Sequence, residues 1–502
     1  MTPEYYMYKD ILKLLLDNNV ISNNKYNKYI KKIENSTGYE EIKQIYRNKI
    51  TESLNDEQLE AFNEIDKYVT EDTGNNYLIL KGVAGSGKTY MINKWIEYHK
   101  RVYPYGSIAV SAPTNKAVKV LRSDQPKDVL NGSCIESYVS YKTVHSLLGI
   151  KEHIDNNGKI TFVPTEKDVE QTNSFDAIII DECSMVGKEL FGIIKNVTTK
   201  LIFMGDRFQI PPVNEQNSIL FQENTLRVNE IRLEKIMRQK EGSPIIAKSK
   251  EIRDNILHVD PIKDKTTMET SEGSVFYYTD KREALEQLGA LIDNGAYKNP
   301  KDFKVIAWRN KTLANCNNYI RERIYGKNPK VLEEGDVVVA CSTLYNLDGE
   351  IKATNSDEFV VSGIVRNQIL YKIEHKRYHI NYDINISGYM CKGTNIITNE
   401  VIKLFITDDE GKKQLSRYTA PLKKLCIEKK DASLWSVYYK TLNLNDHVAY
   451  AYCCSVHKAQ GSTYKNVFLV ENDINRNDDI FERNRIKYTA YTRAKENLYV
   501  VL

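Results

Sequence analysis

Over the first fifty residues apolar positions recur every three or four residues among charges, in "YKDILKLLLDNNVI" and "YNKYIKKIENSTGYEEIKQIYRNKI". That period predicts helices and a small, separable helical unit, read as an appendage packed on the main body. From residue 51 the pattern changes to short continuous apolar runs, each succeeded by a polar or glycine-rich loop and then a helical stretch. "YLIL" (77–80), "IAV" (108–110), "AIII" (177–180) and "LIFM" (201–204) read as strands buried on both faces, as parallel strands are when helices cover them. A second set comes late: "KVIAW" (304–308), "VFLV" (467–470) and "LYVVL" (498–502). The pattern predicts an α/β chain with two parallel-sheet domains.

Two stretches interrupt this pattern. Residues 146–175 contain "KEHIDNNGKITFV", where Asn-Gly between alternating runs signals a β-hairpin. Residues 331–446 are rich in alternating and β-branched runs broken by Asn, Asp and Gly, which predicts a small antiparallel β module. The expected organisation is a helical extension at 1–50, a first sheet domain at 51–145 and 176–235, and a hairpin insertion at 146–175. A second sheet domain then covers 236–330 and 447–502, with the β insertion at 331–446. A chain of 502 residues exceeds one core at roughly 100–200 residues per domain.

Composition narrows the partners only slightly. The chain has 71 Lys plus Arg against 67 Asp plus Glu, a net charge of +4, which admits nucleic acid without requiring it. The eight cysteines are scattered with no C-x-x-C pair, and read as reduced thiols in a cytoplasmic setting. No apolar run approaches membrane-spanning length and the N-terminus lacks a secretory pattern, so no membrane partner is expected.

The chemistry starts at "GVAGSGKT", residues 82–89. Gly82, Gly85, Ser86 and Gly87 form a loop whose backbone N–H groups can cradle phosphates; Lys88 reaches the β- and γ-phosphates, and the Thr89 hydroxyl can ligate Mg²⁺. The strand "AIII" ends in Asp181, placed for the Mg²⁺ shell, and Glu182, placed as general base on water. One strand later, "GDRFQIPPV" sets Gln209 to sense the γ-phosphate. Gln58 in "NDEQ" offers an amide to an adenine edge, although the same stretch also reads as a helix N-cap. Arg238 and Arg493 are candidate charge-stabilising arginines, the latter at the end of the sheet domain that has no phosphate loop of its own.

In order along the chain, "NDEQ" (55–58), "GVAGSGKT" (82–89), "APTNKAV" (112–118), "TVHSLLG" (143–149), "IIIDECSM" (178–185), "GDRFQIPPV" (205–213), "MRQ" (237–239), "SVHKAQGST" (455–463) and "YTAYTRAK" (488–495) resemble the superfamily 1 helicases. The pattern is most similar to the RecD-like branch, superfamily 1B, and especially to phage Dda-type helicases. The resemblance implies two RecA-like domains, a hairpin pin inserted in the first and an SH3-like module inserted in the second. It implies ATP and Mg²⁺ as cofactors, and partners that are single-stranded DNA and single/double-strand junctions. A single-strand-binding protein or replisome component is a further candidate partner, a monomer is the expected state, and a phage source would place the protein in host cytoplasm. It also implies 5′→3′ travel, which no spacing in the chain shows.

Carried over residue by residue, the resemblance puts Thr114, Asn115, Thr143, His145, His457, Lys458 and Gln460 along the DNA strand. Such contacts position a strand without reading its sequence. Gly461 and Ser462 lie where the family couples the DNA groove to the ATP site. Phe162 and Trp308 are candidate stacking residues, as a protein tracking single strands needs aromatic platforms. The rival reading is a DNA-stimulated ATPase that translocates and displaces proteins with little strand separation; the hairpin discriminates between the two.

Overall fold

The computed structural model describes residues 3–35, 37–71, 74, 77–103, 106–123, 138–163, 172–212, 214–222, 229–237, 242–346 and 350–502. Four helices open the chain: α1 (Pro3–Asp17), α2 (Asn23–Glu34), α3 (Tyr39–Thr51) and α4 (Asp56–Thr70). The extension packs on the first sheet domain. Ile42 and Tyr46 of α3 are fully buried in one continuous core with Phe62 of α4 and Trp95 and Tyr98 of α5 (Lys88–Val102). The helical period that marked these segments is the face with which they close the first sheet domain.

The first sheet has β1 (Tyr77–Gly82), β2 (Ile108–Ala112), β3 (Val139–Thr143), β6 (Ala177–Ile180), β7 (Lys200–Gly205) and β8 (Asn229–Leu233), all parallel, in the order β3-β2-β6-β7-β1-β8. Between β3 and β6 rises an antiparallel hairpin, β4 (Lys151–Ile154) and β5 (Ile160–Val163). The second sheet has β9 (Met268–Thr270), β10 (Gly273–Tyr278), β11 (Phe303–Ala307), β19 (Cys453–Ser455), β20 (Tyr464–Val470) and β21 (Ala494–Val501), in the order β19-β11-β20-β21-β10-β9. It is parallel except for the edge strand β9. The two orders superpose position for position, so β10 stands where β1 stands, but runs into helix Lys281–Asp293 without a glycine-rich loop.

The insertion is a five-stranded antiparallel sheet, β17-β16-β15-β12-β18, made of β12 (Val337–Ala340), β15 (Glu358–His375), β16 (Ile380–Asn395), β17 (Val401–Thr407) and β18 (Val448–Tyr450), with a small pair β13 (Leu344–Tyr345) and β14 (Ile351–Ala353). Its last strand lies beyond residue 446. It also carries two helices that the β-only reading missed, Asp409–Lys429 and Ala432–Leu442. The buried stripe of the first is Gly411, Leu415, Thr419, Leu422 and Cys426, too weakly apolar to announce a helix.

Buried charge joins the three parts. Lys116, on α6 (Asn115–Ser123) of the first domain, and Lys304, on β11 of the second, share the carboxylate of Glu358 at the start of β15, at 2.9 and 2.8 Å. Lys116 also donates to the Tyr464 hydroxyl at 3.2 Å, and Lys304 to the Ala451 carbonyl at 2.8 Å. Beside them Lys119 pairs with Asp357 at 2.5 Å. Burial alone would raise the Glu358 carboxyl, but the two ammonium groups outweigh it and hold it at about 2. Glu358→Gln leaves two buried ammonium groups without an anion and is expected to lower stability to urea by about 3–5 kcal/mol. The folded-state value lies below the unfolded one near 4, so the wild-type advantage is complete above that pH and fades only as pH falls towards 2. Urea titrations of both proteins at pH 7, 5 and 3 read this directly.

Candidate functional site

The loop between β1 and α5 turns at Gly85 and Gly87, whose φ values are +83° and +80°. A side chain at Gly87 would also place its Cβ 2.4 Å from the Gln58 amide nitrogen. At Gly82 a Cβ would meet the Ser86 hydroxyl at 2.7 Å and the Lys88 stem at 3.1 Å. The Lys88 ammonium donates to the carbonyls of Gly82 (2.7 Å) and Val83 (3.2 Å), held inside the loop it serves. Gln58 is the third residue of a capping box with Asn55, and its amide donates to the Ser86 carbonyl at 3.1 Å. The N-cap reading of "NDEQ" holds, while the amide offered to an adenine edge is here engaged by the Asn55 N–H and the phosphate loop.

Asp181 and Glu182 leave the end of β6 facing this loop. Burial first, then the neighbouring Glu182 carboxylate, push the Asp181 carboxyl up, and Lys88 opposes them. Glu182 sits at φ +51°, ψ +38°, a left-handed conformation that costs a non-glycine residue roughly 1–3 kcal/mol. Its N–H donates to Asp181 Oδ1 at 2.8 Å, and its Oε2 accepts from Gln460 Nε2 at 3.3 Å. Gln460 also donates to Ser184 at 3.2 Å. The amide expected along the DNA strand thus lies on the candidate base.

The cleft holding these groups has a volume of about 770 Å³ and is walled by both sheet domains. From the first come Gln58, Lys88, Thr89, Asp181, Glu182 and Gln209; from the second come Gly461, Ser462 and Arg493. Gln209 is 5% exposed and its amide oxygen has no hydrogen-bond partner among the described residues. Arg493 is 3% exposed, with Nε on the Thr489 carbonyl (2.9 Å), Nη1 on the Ser462 carbonyl (3.0 Å) and Nη2 on the Thr492 hydroxyl (2.9 Å). Burial lowers its pKa and the Glu182 carboxylate opposes that. Gly461, at φ +76°, brings the turn within reach of Glu182: a Cβ there would stand 3.8 Å from Oε1. Arg238 lies outside the described residues; the preceding Met237 N–H donates to the Gly85 carbonyl at 2.7 Å.

Helix Ile480–Tyr491 of the second domain makes contacts that no sequence signal announced. Arg485, 1% exposed, crosses into the first domain and donates to the carbonyls of Gln209 (2.8 Å), Arg207 (2.9 Å) and Gln216 (2.6 Å), and to the Asn217 side chain (3.0 Å). Burial brings its guanidinium down to about 10, still charged at neutral pH. One turn on, the Tyr488 hydroxyl donates to Asp206 Oδ2 (2.6 Å), which also accepts from the phosphate-loop N–H of Ala84 (2.8 Å). Ile210, next to Gln209, is buried in the second domain's core.

The candidate strand contacts stand at matching places on the two sheets. At the edge of the first, β3 ends in Thr143, whose hydroxyl caps the short helix Val144–Leu147 that carries His145. At the edge of the second, β19 ends in Ser455, whose hydroxyl caps the short helix Val456–Ala459 that carries His457 and Lys458. "TVHS" and "SVHK" are one motif used twice, which adds Ser455 to the residues proposed from sequence. Next inward, β2 leads to Thr114 and Asn115, and β11 leads to Trp308, Arg309 and Asn310. Asp473 accepts from the N–H groups of Trp308 (3.0 Å) and Arg309 (2.8 Å) and fixes that corner. Trp308 is partly buried against the second domain's core.

The Asn-Gly signal falls in the tip of this hairpin, the five residues 155–159 between the strands. Asp155 Oδ1 accepts from the N–H groups of Asn157 and Lys159, each at 2.8 Å. The tip rests on helix Ala432–Leu442 of the insertion: Trp435 Nε1 donates to the Asn156 carbonyl (3.3 Å) and the Tyr439 hydroxyl to the Gly158 carbonyl (2.9 Å). Phe162 pairs with Glu152 on the returning strand; its side chain lies outside the described residues.

Comparison with known proteins agrees with this layout. Residues 66–215 match the AAA domain family and residues 450–501 the UvrD-like helicase C-terminal domain. An uncharacterized protein of Acanthamoeba polyphaga mimivirus is 25% identical across 89% of this chain and 99% of its own length. The RecD subunit of the RecBCD enzyme of Buchnera aphidicola is 34% identical over 29% of this chain and 24% of RecD. The ATP-dependent DNA helicase PIF1 of Saccharomyces cerevisiae is 25% identical over 34% of this chain and 20% of PIF1. A solved structure of Pif1 helicases at forked double-stranded DNA aligns with a TM-score of 0.46 at 17% identity, over 89% of this chain and 92% of that one. The two family matches fall on the two sheet domains that wall the cleft and, with RecD and Pif1 among the similar proteins, support the resemblance of the ordered motifs to the superfamily 1B helicases.

Proposed function

We propose that this protein is an ATP-dependent DNA helicase of the phage Dda-like kind, which travels 5′→3′ on single-stranded DNA and parts the duplex on hairpin β4–β5. The observation that carries the reading is the cleft itself. A phosphate loop and two acids from one domain face a buried arginine of another domain that has no phosphate loop.

The residues fit a bound nucleotide and its metal. Asp181 is a buried carboxyl raised by a like-charged neighbour, a situation that a divalent cation relieves. Thr89 and Asp181 would hold Mg²⁺, which when bound withdraws charge from the phosphates. Lys88 and the loop N–H groups orient the β- and γ-phosphates, and Glu182 accepts the proton of the attacking water. Gln209 holds that water or the γ-phosphate with its amide oxygen and N–H₂, while Arg493 neutralises charge developing on the phosphoryl group. Hydrolysis removes the group that Arg493 and Gln209 share across the cleft, so the domains part and the two His-bearing turns change their spacing on the strand. The hairpin, braced on Trp435 and Tyr439, is the rigid element that a duplex meets.

Three outcomes test this reading. Arg493→Ala is expected to lower ATP turnover by a factor on the order of 10³–10⁵ while nucleotide binding stays measurable; near-normal hydrolysis would overturn the assignment. With ATP and Mg²⁺, a duplex carrying a 5′ single-stranded tail should be unwound and its 3′-tailed counterpart left intact, Lys88→Ala serving as the inactive control. Replacing residues 155–159 by a two-residue turn should abolish strand separation and spare DNA-stimulated hydrolysis. If that variant still unwinds, the hairpin does not part the strands.

A further inference from the structure

We propose that the outward face of helix Asp409–Lys429 is a docking surface for the phosphate backbone of duplex DNA not yet opened; this rests on the helicase reading above. Lys413, Arg417 and Lys424 are all exposed. At 3.6 residues per turn they fall within about 40° of one another, opposite the buried stripe that begins at Gly411 and Leu415. The charged face extends for about 16 Å along the helix axis at 1.5 Å per residue. Among the described residues none of the three forms an ion pair; Asp409 pairs with Lys412 at 3.0 Å and Glu428 with Lys429 at 2.9 Å, and Glu410, three residues before Lys413, and Glu428, four after Lys424, stand at the two ends of the row.

An ordinary solvated helix face alternates charges at i and i+4. Here Lys413 and Arg417 are like charges at that spacing, which disfavours the helix unless an anion lies across both. The occupant is set by position and by what the charged face lacks. Cys426 and Leu422 of this helix share a core with Trp435, the residue under the hairpin tip. The charged face is therefore the far side of a helix whose buried side packs with the residue bracing the hairpin tip. Single strands are held through aromatic platforms as well as charge, and the three cations have no aromatic among them. Cations without stacking groups suit phosphates of a duplex whose bases stay paired.

The test compares affinity for a 5′-tailed duplex with affinity for the tail alone, by fluorescence anisotropy at 50 and 200 mM salt. It uses the wild type and the triple variant Lys413→Gln, Arg417→Gln, Lys424→Gln. In the wild type the duplex should add affinity, and three phosphate contacts make that increment shrink on the order of 40-fold between the two salts. The variant should lose the increment and its salt dependence, while tail affinity and tail-stimulated hydrolysis, which also report that it is folded, stay at wild-type values. A wild type that gains nothing from the duplex, or a variant that keeps the gain, overturns the proposal and leaves the helicase reading standing. A variant that loses tail and duplex affinity alike overturns the commitment to duplex. A wild type that does not bind the tail removes the helicase reading and this surface with it.

Discussion

Everything in this molecule depends on holding two half-sites face to face, and the chain does so with buried charge. Glu358 is clasped by one lysine from each sheet domain, and Arg485 reaches from the second domain into backbone carbonyls of the first. Groups of this kind are costly to bury and more costly to leave unpaired, so the interface has few acceptable arrangements. Apolar packing tolerates small slips; a guanidinium on three carbonyls and a side-chain amide does not.

The same contacts tie the nucleotide loops to one helix of the second domain. Arg485 and Tyr488 stand one turn apart, the first on the Gln209 carbonyl and the second on the carboxylate that also holds the Ala84 N–H. Arg493 comes just past the end of that helix. A change in the phosphate loop, the Gln209 loop or the arginine therefore meets a single rigid element, and Ile210 adds an apolar anchor to it.

Much of this was legible in the chain. The strands of both sheets lie where apolar runs are continuous, because helices bury both faces, and the phosphate loop and acidic pair follow from spacing alone. The features that were not legible share a physical cause: the information sits in partners far apart or in backbone atoms. Lys116 and Glu358 are 242 residues apart, and Arg485 binds carbonyls, which every residue has. The longer of the insertion's helices was missed because glycine, threonine and cysteine share its buried stripe. The period of the helical extension announced helices packed on the body, but not that their apolar face is spent on the first domain.

Gln460 lies on the candidate base Glu182, and His457 stands at the other end of the same short turn. On the helicase reading proposed above, in which His457 meets the strand, two ligands sensed through a single short turn need no long relay between them. Their influence must also be reciprocal: whatever factor a bound strand lends to nucleotide affinity, the nucleotide lends to the strand. The tightness of the grip and the grasp of the fuel are then one equilibrium quantity, set by the geometry of that turn.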